Sequence, residues 1–331
     1  MNSPRCDTHD YIQFLLAAQR VYTCTEAARS QPERVDAPAH DAFTRLLRRQ
    51  PPDTEALWQE VQGLVRRDAG VLVLDDTTLD KPYARKMELV TRHWSGKHRQ
   101  VVLGINLLTL LWTDGEALIP CDFRLYDKPL GGHTKNEHFR VMLEAAKARG
   151  FAPGFVLFDS WYASLENLKA IRSYGWAWLT QLKGNRLVNP EGQGNVPVEQ
   201  VPIPTEGRRV HLKGYGFIKV FRTVAPNGDV EYWATSDLGM TEEQREVLEG
   251  QAWGIEVYHR GLKQYCGVEK AEVRKAVAQR QHIHLAIRAF VRLEAHRLRT
   301  GVSWFEAKTA IVRSAIREYL AHPRYLLPAT A

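Results

Sequence analysis

The segment Val71-Leu72-Val73-Leu74-Asp75-Asp76 decides which fold the chain is expected to adopt. Its four apolar residues form a short continuous run, which is typical of a strand covered on both faces of a sheet. Two carboxylates follow at once, where ligand sites of open α/β sheets gather. Asp159 likewise follows an apolar run at residues 155–158. If the two strands are parallel neighbours, these carboxylates come close enough to share a metal ion.

Other patterns predict a mixed α/β core around these strands. Three further apolar runs predict strands, at residues 101–112, 117–126 and 176–182. Two stretches have helical periodicity, at residues 136–148 and 165–174. A Gly- and Pro-rich region then predicts strands at residues 210–224 and 230–235, before long helical stretches at residues 241–264 and 274–299.

We therefore expect four segments along the chain. They are an N-terminal helical domain at residues 1–68, the first part of an α/β core at 69–183, a β-rich insertion at 184–250, and the second part of the core with basic C-terminal helices at 251–331. The first segment has the pattern of a short helix, a break and a second helix. The second helix carries three cations on the face opposite its apolar residues, namely Arg45, Arg48 and Arg49. This arrangement is compatible with a helix-turn-helix that binds DNA, and a plain packing domain is the alternative.

The basic charge of the chain lies at its C-terminal end. Residues 253–331 contain fourteen Lys or Arg and six Asp or Glu, whereas residues 1–68 contain nine and ten. A basic surplus suits a polyanionic partner, because each neutralised phosphate releases counterions. Solvated basic helices without a partner would give the same counts, so charge leaves both interpretations open.

Composition also argues against several classes of protein. No apolar run approaches the roughly 20 residues that span a bilayer, and residues 1–20 lack the pattern of a secretion signal. The four cysteines are far apart and form no CxxC pair, which favours reduced thiols over structural zinc. We therefore expect no membrane contact and a cytoplasmic protein.

Glu256 is the third candidate acidic residue. It lies on a predicted helix together with Lys263, and a spacing of seven residues places both on one face. Each carboxylate also has an ordinary structural explanation. The aspartates could form turns or helix caps, and Glu256 could pair with Arg260 one turn later.

Three segments of the chain, residues 71–82, 158–169 and 253–264, resemble in order the three catalytic blocks of DDE transposases of bacterial insertion sequences. The resemblance extends from about residue 9 to about residue 320. It implies a ribonuclease H-like core with a mixed sheet and flanking helices, a β-rich insertion before the catalytic Glu, and an N-terminal helical domain. The Glu256–Lys263 spacing matches the family's Glu-x6-Lys signature. Its Asp-x-Thr element favours Asp76 over Asp75 as the first carboxylate.

The resemblance further implies a DNA transposase that hydrolyses a phosphodiester bond and transfers the 3′-OH end to target DNA. Asp76, Asp159 and Glu256 would be catalytic and would hold two Mg²⁺ ions, for which Mn²⁺ could substitute. Lys263 and Arg260 would contact DNA phosphates. The expected partners are double-stranded DNA, as terminal inverted repeats and target, and a second copy of the chain in a homodimer on DNA. The expected location is the nucleoid in the bacterial cytoplasm.

One departure and two alternatives accompany this interpretation. The hairpin-forming branch of the family has Tyr and Arg seven and four positions before its Glu, where this chain has Glu249 and Ala252. That difference argues against a hairpin mechanism but leaves the three carboxylates in place. The alternatives are a ribonuclease H-like nuclease or resolvase that does not join strands, and a catalytically inactive DNA-binding protein derived from a transposase.

Overall fold

The computed structural model describes residues 4–33, 35–49, 52–95, 98–127, 132–192, 194–225 and 227–323. The chain forms two compact units. One consists of Met1–Asp53, Tyr83–Val90 and His259–Ala331, and the other of Thr54–Pro82 and Thr91–Tyr258. These units group the chain differently from the four segments expected from the sequence, whose boundaries stay a prediction.

The unit built from residues 54–82 and 91–258 contains the strands of the structure. They are β1 Val71–Asp80, β2 Thr91–Ser95, β3 Gln100–Thr113, β4 Ile119–Tyr126, β5 Phe155–Phe158, β6 Ala177–Leu182, β7 Leu187–Val188, β8 Val196–Pro197, β9 Arg208–Leu212, β10 Gly216–Val224 and β11 Val230–Thr235. Among the described residues, nine of them form one sheet in the order β2-β3-β1-β5-β6-β11-β10-β9, with β4 also paired to β3. Strands β7 and β8 pair with each other. The β-rich segment therefore extends the same sheet as the core strands.

Strand β1 lies between an antiparallel and a parallel neighbour. It pairs antiparallel with β3 and parallel with β5, and the last parallel pair joins Leu74 to Phe158. Asp75 follows Leu74 within β1, and Asp159 directly follows the end of β5. The condition under which these two carboxylates come close together, that their strands are parallel neighbours, is therefore met.

Two strand predictions were wrong in their bounds. Strand β1 does not end at residue 74, because β3 is long enough to pair with it as far as Asp80. Asp75 and Asp76 thus both lie inside β1. The single strand expected at residues 210–224 is two strands, β9 and β10, which pair antiparallel. Gly214 and Gly216 between them have φ angles of 79° and 122°, which side-chain-bearing residues rarely adopt, so the chain reverses there.

Helices cover the sheet of this unit. They are α4 Thr54–Val61, α5 Lys135–Ala148, α6 Leu165–Ser173, α7 Glu242–Ala252 and the first turn of α8 Gly254–Tyr265. Helix α5 packs on β3, β4 and α6, whereas α7 packs on β5. The stretch expected as one helix at residues 241–264 is divided at Trp253 into α7 and α8. Gly254 begins α8, where an added Cβ would lie 2.9 Å from the Leu118 side chain, so a larger residue would require that side chain to shift.

The other unit is helical. It contains α1 Thr8–Ala17, α2 Cys24–Arg29, α3 His40–Arg49, α9 Ala276–Thr300 and α10 Trp304–Ala321. Helices α1 and α3 pack on α9, and Phe43, Leu46 and Leu47 of α3 are buried, as the sequence predicted. Of the helices in the described ranges, none has the length and apolar character needed to cross a lipid bilayer.

Candidate active site

A cavity of about 650 Å³ in the sheet-containing unit brings together carboxylates that are remote in sequence. Asp75, Asp159 and Glu256 all line it. Carboxylate oxygens of Asp75 and Glu256 lie within 4.8 Å of each other. The cavity thus receives one acidic residue each from β1, from the end of its parallel neighbour β5 and from the start of α8.

Asp75 and Asp76 point to opposite faces of β1, because successive side chains of a strand alternate. The Asp75 side chain lies on the face of β1 that borders the cavity and Glu256. Asp76 is not among the residues that line the cavity, and its carboxylate contacts Lys135 of α5 and Tyr162 instead. The structure therefore brings Asp75, rather than Asp76, together with Asp159 and Glu256 around the cavity.

The Asp76 carboxylate accepts three hydrogen bonds. Asn106 donates its side-chain amide to Oδ2 at 2.6 Å, the Lys135 ammonium donates to Oδ2 at 2.7 Å, and the Tyr162 hydroxyl donates to Oδ1. Asn106 reaches it from β3, where it lies two residues from the cross-strand partner of Asp76 and therefore on the same face. These hydrogen bonds fix the position of the carboxylate and favour its ionised form.

The two neighbouring aspartates differ in their electrostatics. Burial, followed by the charges of Asp76, Asp159 and Glu256, raises the pKa of Asp75 well above its usual value. For Asp76, burial is outweighed by the Lys135 charge and by the three hydrogen bonds, so the pKa is lowered. Within the described residues, no Lys or Arg side chain forms an ion pair with Asp75. The Asp75 carboxylate therefore lacks the ion pair that Asp76 forms with Lys135.

Asp159 is placed by the turn that follows β5. Its carboxylate accepts the backbone N–H of Trp161 and so caps a short 3-10 helix, Ser160–Tyr162. Burial and then the Asp76 charge raise its pKa, although that hydrogen bond opposes the shift. The structural explanation of Asp159 as a capping residue is thus correct, and the residue also lines the cavity. The two roles are compatible because a carboxylate has two oxygens.

Further acidic residues of the cavity were not singled out from the sequence. Glu231, Glu246 and Glu249 also line it. Arg245 of α7 offsets part of this charge by pairing with three carboxylates, those of Glu242, Glu246 and Glu249. The sequence carried a signal for Glu249 alone, because its i, i+4 spacing from Arg245, with Glu242 at i, i+3, predicts ion pairs on one helix.

Of the five residues expected to contact DNA, four are exposed and Lys263 is partly buried. Arg260 is exposed, and Lys263 follows Glu256 by two turns on α8, where its ammonium lies 3.1 Å from Glu269. On α3, three exposed arginines form a basic face, Arg45, Arg48 and Arg49. Arg45 pairs with Asp41 at 2.7 Å. The division of α3 into an apolar face and a basic face is confirmed, and DNA binding by it stays a prediction.

The fold and the site define an α/β protein with an acidic cavity beside the central strands of its sheet. A family model described as "DDE superfamily endonuclease" matches residues 4–219. Since this match covers well over half of the sequence, the chain belongs to that family, which confirms the resemblance stated from the three sequence blocks. A comparison with curated proteins found no match.

Among solved structures, the chain is similar to a piggyBac transposase synaptic complex with hairpin DNA determined by cryo-EM. The identity is 11%, the TM-score is 0.53, and the match covers 98% of this chain and 74% of that chain. At this identity the similarity is one of fold, and it confirms the mixed α/β, ribonuclease H-like class predicted from the sequence.

Two other structures match at lower TM-scores. The Mos1 strand transfer complex has 13% identity and a TM-score of 0.20, covering 53% of this chain and 58% of that chain. The Drosophila P element transposase strand transfer complex has 7% identity and a TM-score of 0.31, covering 98% and 88%. No conclusion about this chain rests on either.

Proposed function

We propose that the chain is a DNA transposase, which cuts a phosphodiester bond at the ends of a mobile element and transfers the 3′-OH end to target DNA. The observation that supports this most strongly is the meeting of Asp75, Asp159 and Glu256 around one cavity in a member of the DDE superfamily endonucleases. The fold it shares with a piggyBac transposase adds support.

The donor set of the cavity fits a divalent metal ion. Carboxylate oxygens are the ligands that Mg²⁺ prefers, and Asp75 and Glu256 present theirs within 4.8 Å of each other. Burial, and next the charges of neighbouring carboxylates, raise the pKa of Asp75, and a bound cation would offset both effects. When bound, a pair of Mg²⁺ ions, or Mn²⁺ in their place, supplies an activated water or 3′-hydroxyl and stabilises the leaving oxygen.

For the first carboxylate, the geometry favours Asp75, whereas the Asp-x-Thr element of the sequence favoured Asp76. We propose that Asp75, Asp159 and Glu256 are the ligands. Asp76 is then a positioning residue, since Asn106, Lys135 and Tyr162 fix its carboxylate and thereby the strand that carries Asp75. Rigid placement of this kind matters, because most of the rate enhancement in phosphoryl transfer comes from positioning and electrostatics.

The chain's own cations have a separate role in this proposal. Arg260 and Lys263 of α8 hold DNA phosphates near the cut, and the basic face of α3, with Arg45, Arg48 and Arg49, binds the double-stranded terminal repeats. Two element ends must be processed together, so we propose a homodimer on DNA. Because the proposed substrate is DNA, the protein should be located at the nucleoid in the bacterial cytoplasm.

The proposal is tested with a labelled duplex carrying the DNA that flanks the gene. Purified protein is incubated with it in Mg²⁺, in Mn²⁺ and in EDTA, together with a supercoiled target plasmid. We expect metal-dependent nicking at a defined position and joining of the labelled 3′ end to the plasmid. A duplex of shuffled sequence is the control for the DNA, and Glu256→Gln is the inactive control for the protein.

The same assay separates the alternatives. A nuclease or resolvase would nick the duplex but join nothing, and an inactive DNA-binding protein would bind without nicking. Undiminished cutting by Glu256→Gln and Asp159→Asn would exclude the site proposed here.

A further inference from the structure

Helix α10 is attached to its own unit through its first half. The Trp304 ring packs against Phe290 of α9, with 4.8 Å between the ring centroids. The Lys308 ammonium is buried and donates to three backbone carbonyls at the end of α1, those of Leu15, Leu16 and Ala18. In the second half, by contrast, every described residue from 313 to 323 is exposed. A helix that faces water on all sides is expected to be polar, unless a partner covers it.

One side of this helix is apolar although it is exposed. Six positions, the first just before the helix, follow steps of three and four residues and form what we call the seam, namely Val302, Phe305, Thr309, Val312, Ile316 and Tyr319. This is the spacing of the contact positions in a coiled coil. The Phe305 and Ile316 side chains are 58% and 51% exposed. The seam therefore has the pattern of a surface that a second helix covers.

The charges beside the seam complement each other when two copies pair antiparallel. Glu306 and Arg313 each follow a seam residue by one position, so they lie along the same edge. Residues on the same edge of two helices meet when the helices run antiparallel. If Phe305 of one copy lies against Ile316 of the other, Glu306 of each copy comes beside the other copy's arginine. A two-fold pair thus contains two contacts between opposite charges.

Both of these charged side chains are available to a second copy. Within one chain the Arg313 guanidinium lies 3.8 Å from the Glu306 carboxylate, and both side chains are about half exposed. An ion pair this long and exposed contributes little to stability. The opposite edge of the seam holds Lys308, whose ammonium is already bound by α1. The open edge is therefore the one that carries the complementary charges.

We propose that α10 pairs antiparallel with α10 of a second copy of the chain, about a two-fold axis near Ala310. The occupant is a second copy because the seam and its edge charges are complementary to themselves, as a two-fold interface requires. The inference goes beyond the homodimer on DNA proposed above, since this pair forms without DNA and uses no residue of the acidic cavity.

Sedimentation velocity of the full chain, without DNA and in EDTA, tests the inference. Between about 1 and 200 µM protein we expect the monomer to give way to a dimer, as for a small interface of weak affinity. Ile316→Asp places a charge in the seam and should raise the dimer dissociation constant at least about tenfold. Ile311→Asp is the matched control and should dimerise as the wild type does, because Ile311 is 41% exposed on the same helix but lies off the seam. Circular dichroism checks that both variants are folded.

A charge exchange separates contacts between copies from contacts within one chain. Glu306→Arg or Arg313→Glu alone places like charges side by side at both contacts, and each should weaken dimerisation by about 3- to 30-fold at low salt. An equal mixture of the two variants restores both contacts between opposite charges, so it should form heterodimers with nearly the affinity of the wild type. A fluorescent label on one variant makes its sedimentation report the heterodimer.

Three results would overturn the inference. They are a wild type that stays monomeric over the whole concentration range, a dimer that Ile316→Asp leaves unchanged, and a mixture that associates no more tightly than its separate variants. The first would leave the seam to a different protein or to a lipid surface, and the second would place the dimer interface elsewhere. Cutting of DNA by a monomeric wild type would refute only the α10 pair, whereas a dimer that never cuts would refute only the transposase.

Discussion

The two faces of β1 give adjacent and chemically identical residues opposite environments. Asp76 faces α5, where Lys135 neutralises it and its pKa is lowered. Asp75 faces the cavity, where burial and other carboxylates raise its pKa. Strand alternation alone separates a carboxylate that is satisfied by the protein from a carboxylate that still needs a cation. Uncompensated negative charge is therefore a better indication of a metal site than the number of acidic residues.

The largest expected effect is on DNA cleavage. Asp75→Asn should reduce Mg²⁺-dependent nicking by at least about 10³-fold, because it removes a proposed ligand of the metal ions. Asp76→Asn should retain measurable nicking at low temperature, since its carboxylate does not line the cavity. Initial rates on the labelled duplex, measured at a temperature where both variants are folded, give the comparison.

The opposite ranking, with Asp76→Asn inactive and Asp75→Asn active, would return the first ligand to the Asp-x-Thr element. Asp80→Asn is a suitable control. It changes a third acid on the same strand, and the Asp80 carboxylate pairs with His98 at 2.9 Å, away from the residues that line the cavity.

The next effect is on folding stability. Here a substitution on the Asp76 face of β1 should cause the larger loss, whereas for cleavage the larger loss comes from the Asp75 face. Lys135→Met leaves Asp76 buried without its cation, which should lower the free energy of unfolding by roughly 3 kcal/mol, at the low end for a buried pair. The pair is not fully buried, with side chains 21% and 17% exposed. Urea unfolding of Lys135→Met, Asp76→Asn and the double variant yields their coupling energy. Lys169→Met, on the exposed face of α6, is the control.

Asp75→Asn should not lose stability in the same experiment in EDTA, because the substitution removes a charge that its carboxylate neighbours oppose. A loss as large as that of Lys135→Met would mean that the two faces of β1 do not differ in the way described.

Much of the fold could be predicted from the sequence because apolar runs and helical periodicity are local signals. The strands at residues 71–74 and 155–158, the basic face of α3 and a helix at Glu256 were all predicted. The end of β1 could not be predicted. It depends on the length of β3, which pairs with β1 as far as Asp80 although residues 81–99, including β2, separate the two strands in the sequence.

The candidate site was only partly predictable for a similar reason. Three acidic positions were found from their blocks, but residues 71–74 are apolar on both faces, so alternation could not show which aspartate faces the cavity. The contacts of Lys135, Asn106 and Tyr162 with Asp76 were missed, although Tyr162 lies in the second of the three blocks. Each becomes visible only when the strand pairing places it against Asp76.

A smaller effect is expected when Mg²⁺ is added to the folded protein. A ligand that binds only the native state raises stability by about 2.7 kcal/mol at 100 times its Kd. Thermal unfolding of wild type and Asp76→Asn should therefore shift upward as Mg²⁺ is titrated, whereas Asp75→Asn should show little shift. Ca²⁺ serves as a second oxygen-seeking cation, and Na⁺ at matched ionic strength controls for screening. Equal shifts in all three proteins would place the metal ions elsewhere.

The smallest effect concerns a single hydroxyl group. Burial and the Asp76 charge raise the pKa of Tyr162, so its hydroxyl stays protonated and donates to Asp76 at any physiological pH. Tyr162→Phe keeps the ring, which stacks on Phe139 at 5.4 Å between centroids, and removes only the donor. We expect a loss of about 1.5 kcal/mol in urea unfolding, the range for a hydrogen bond to a charged group. Tyr83→Phe, at a site 94% exposed, should lose nothing. A neutral result for Tyr162→Phe would show that Asn106 and Lys135 suffice to hold Asp76, and that the constraint on the Asp76 face comes from charge more than from the number of donors.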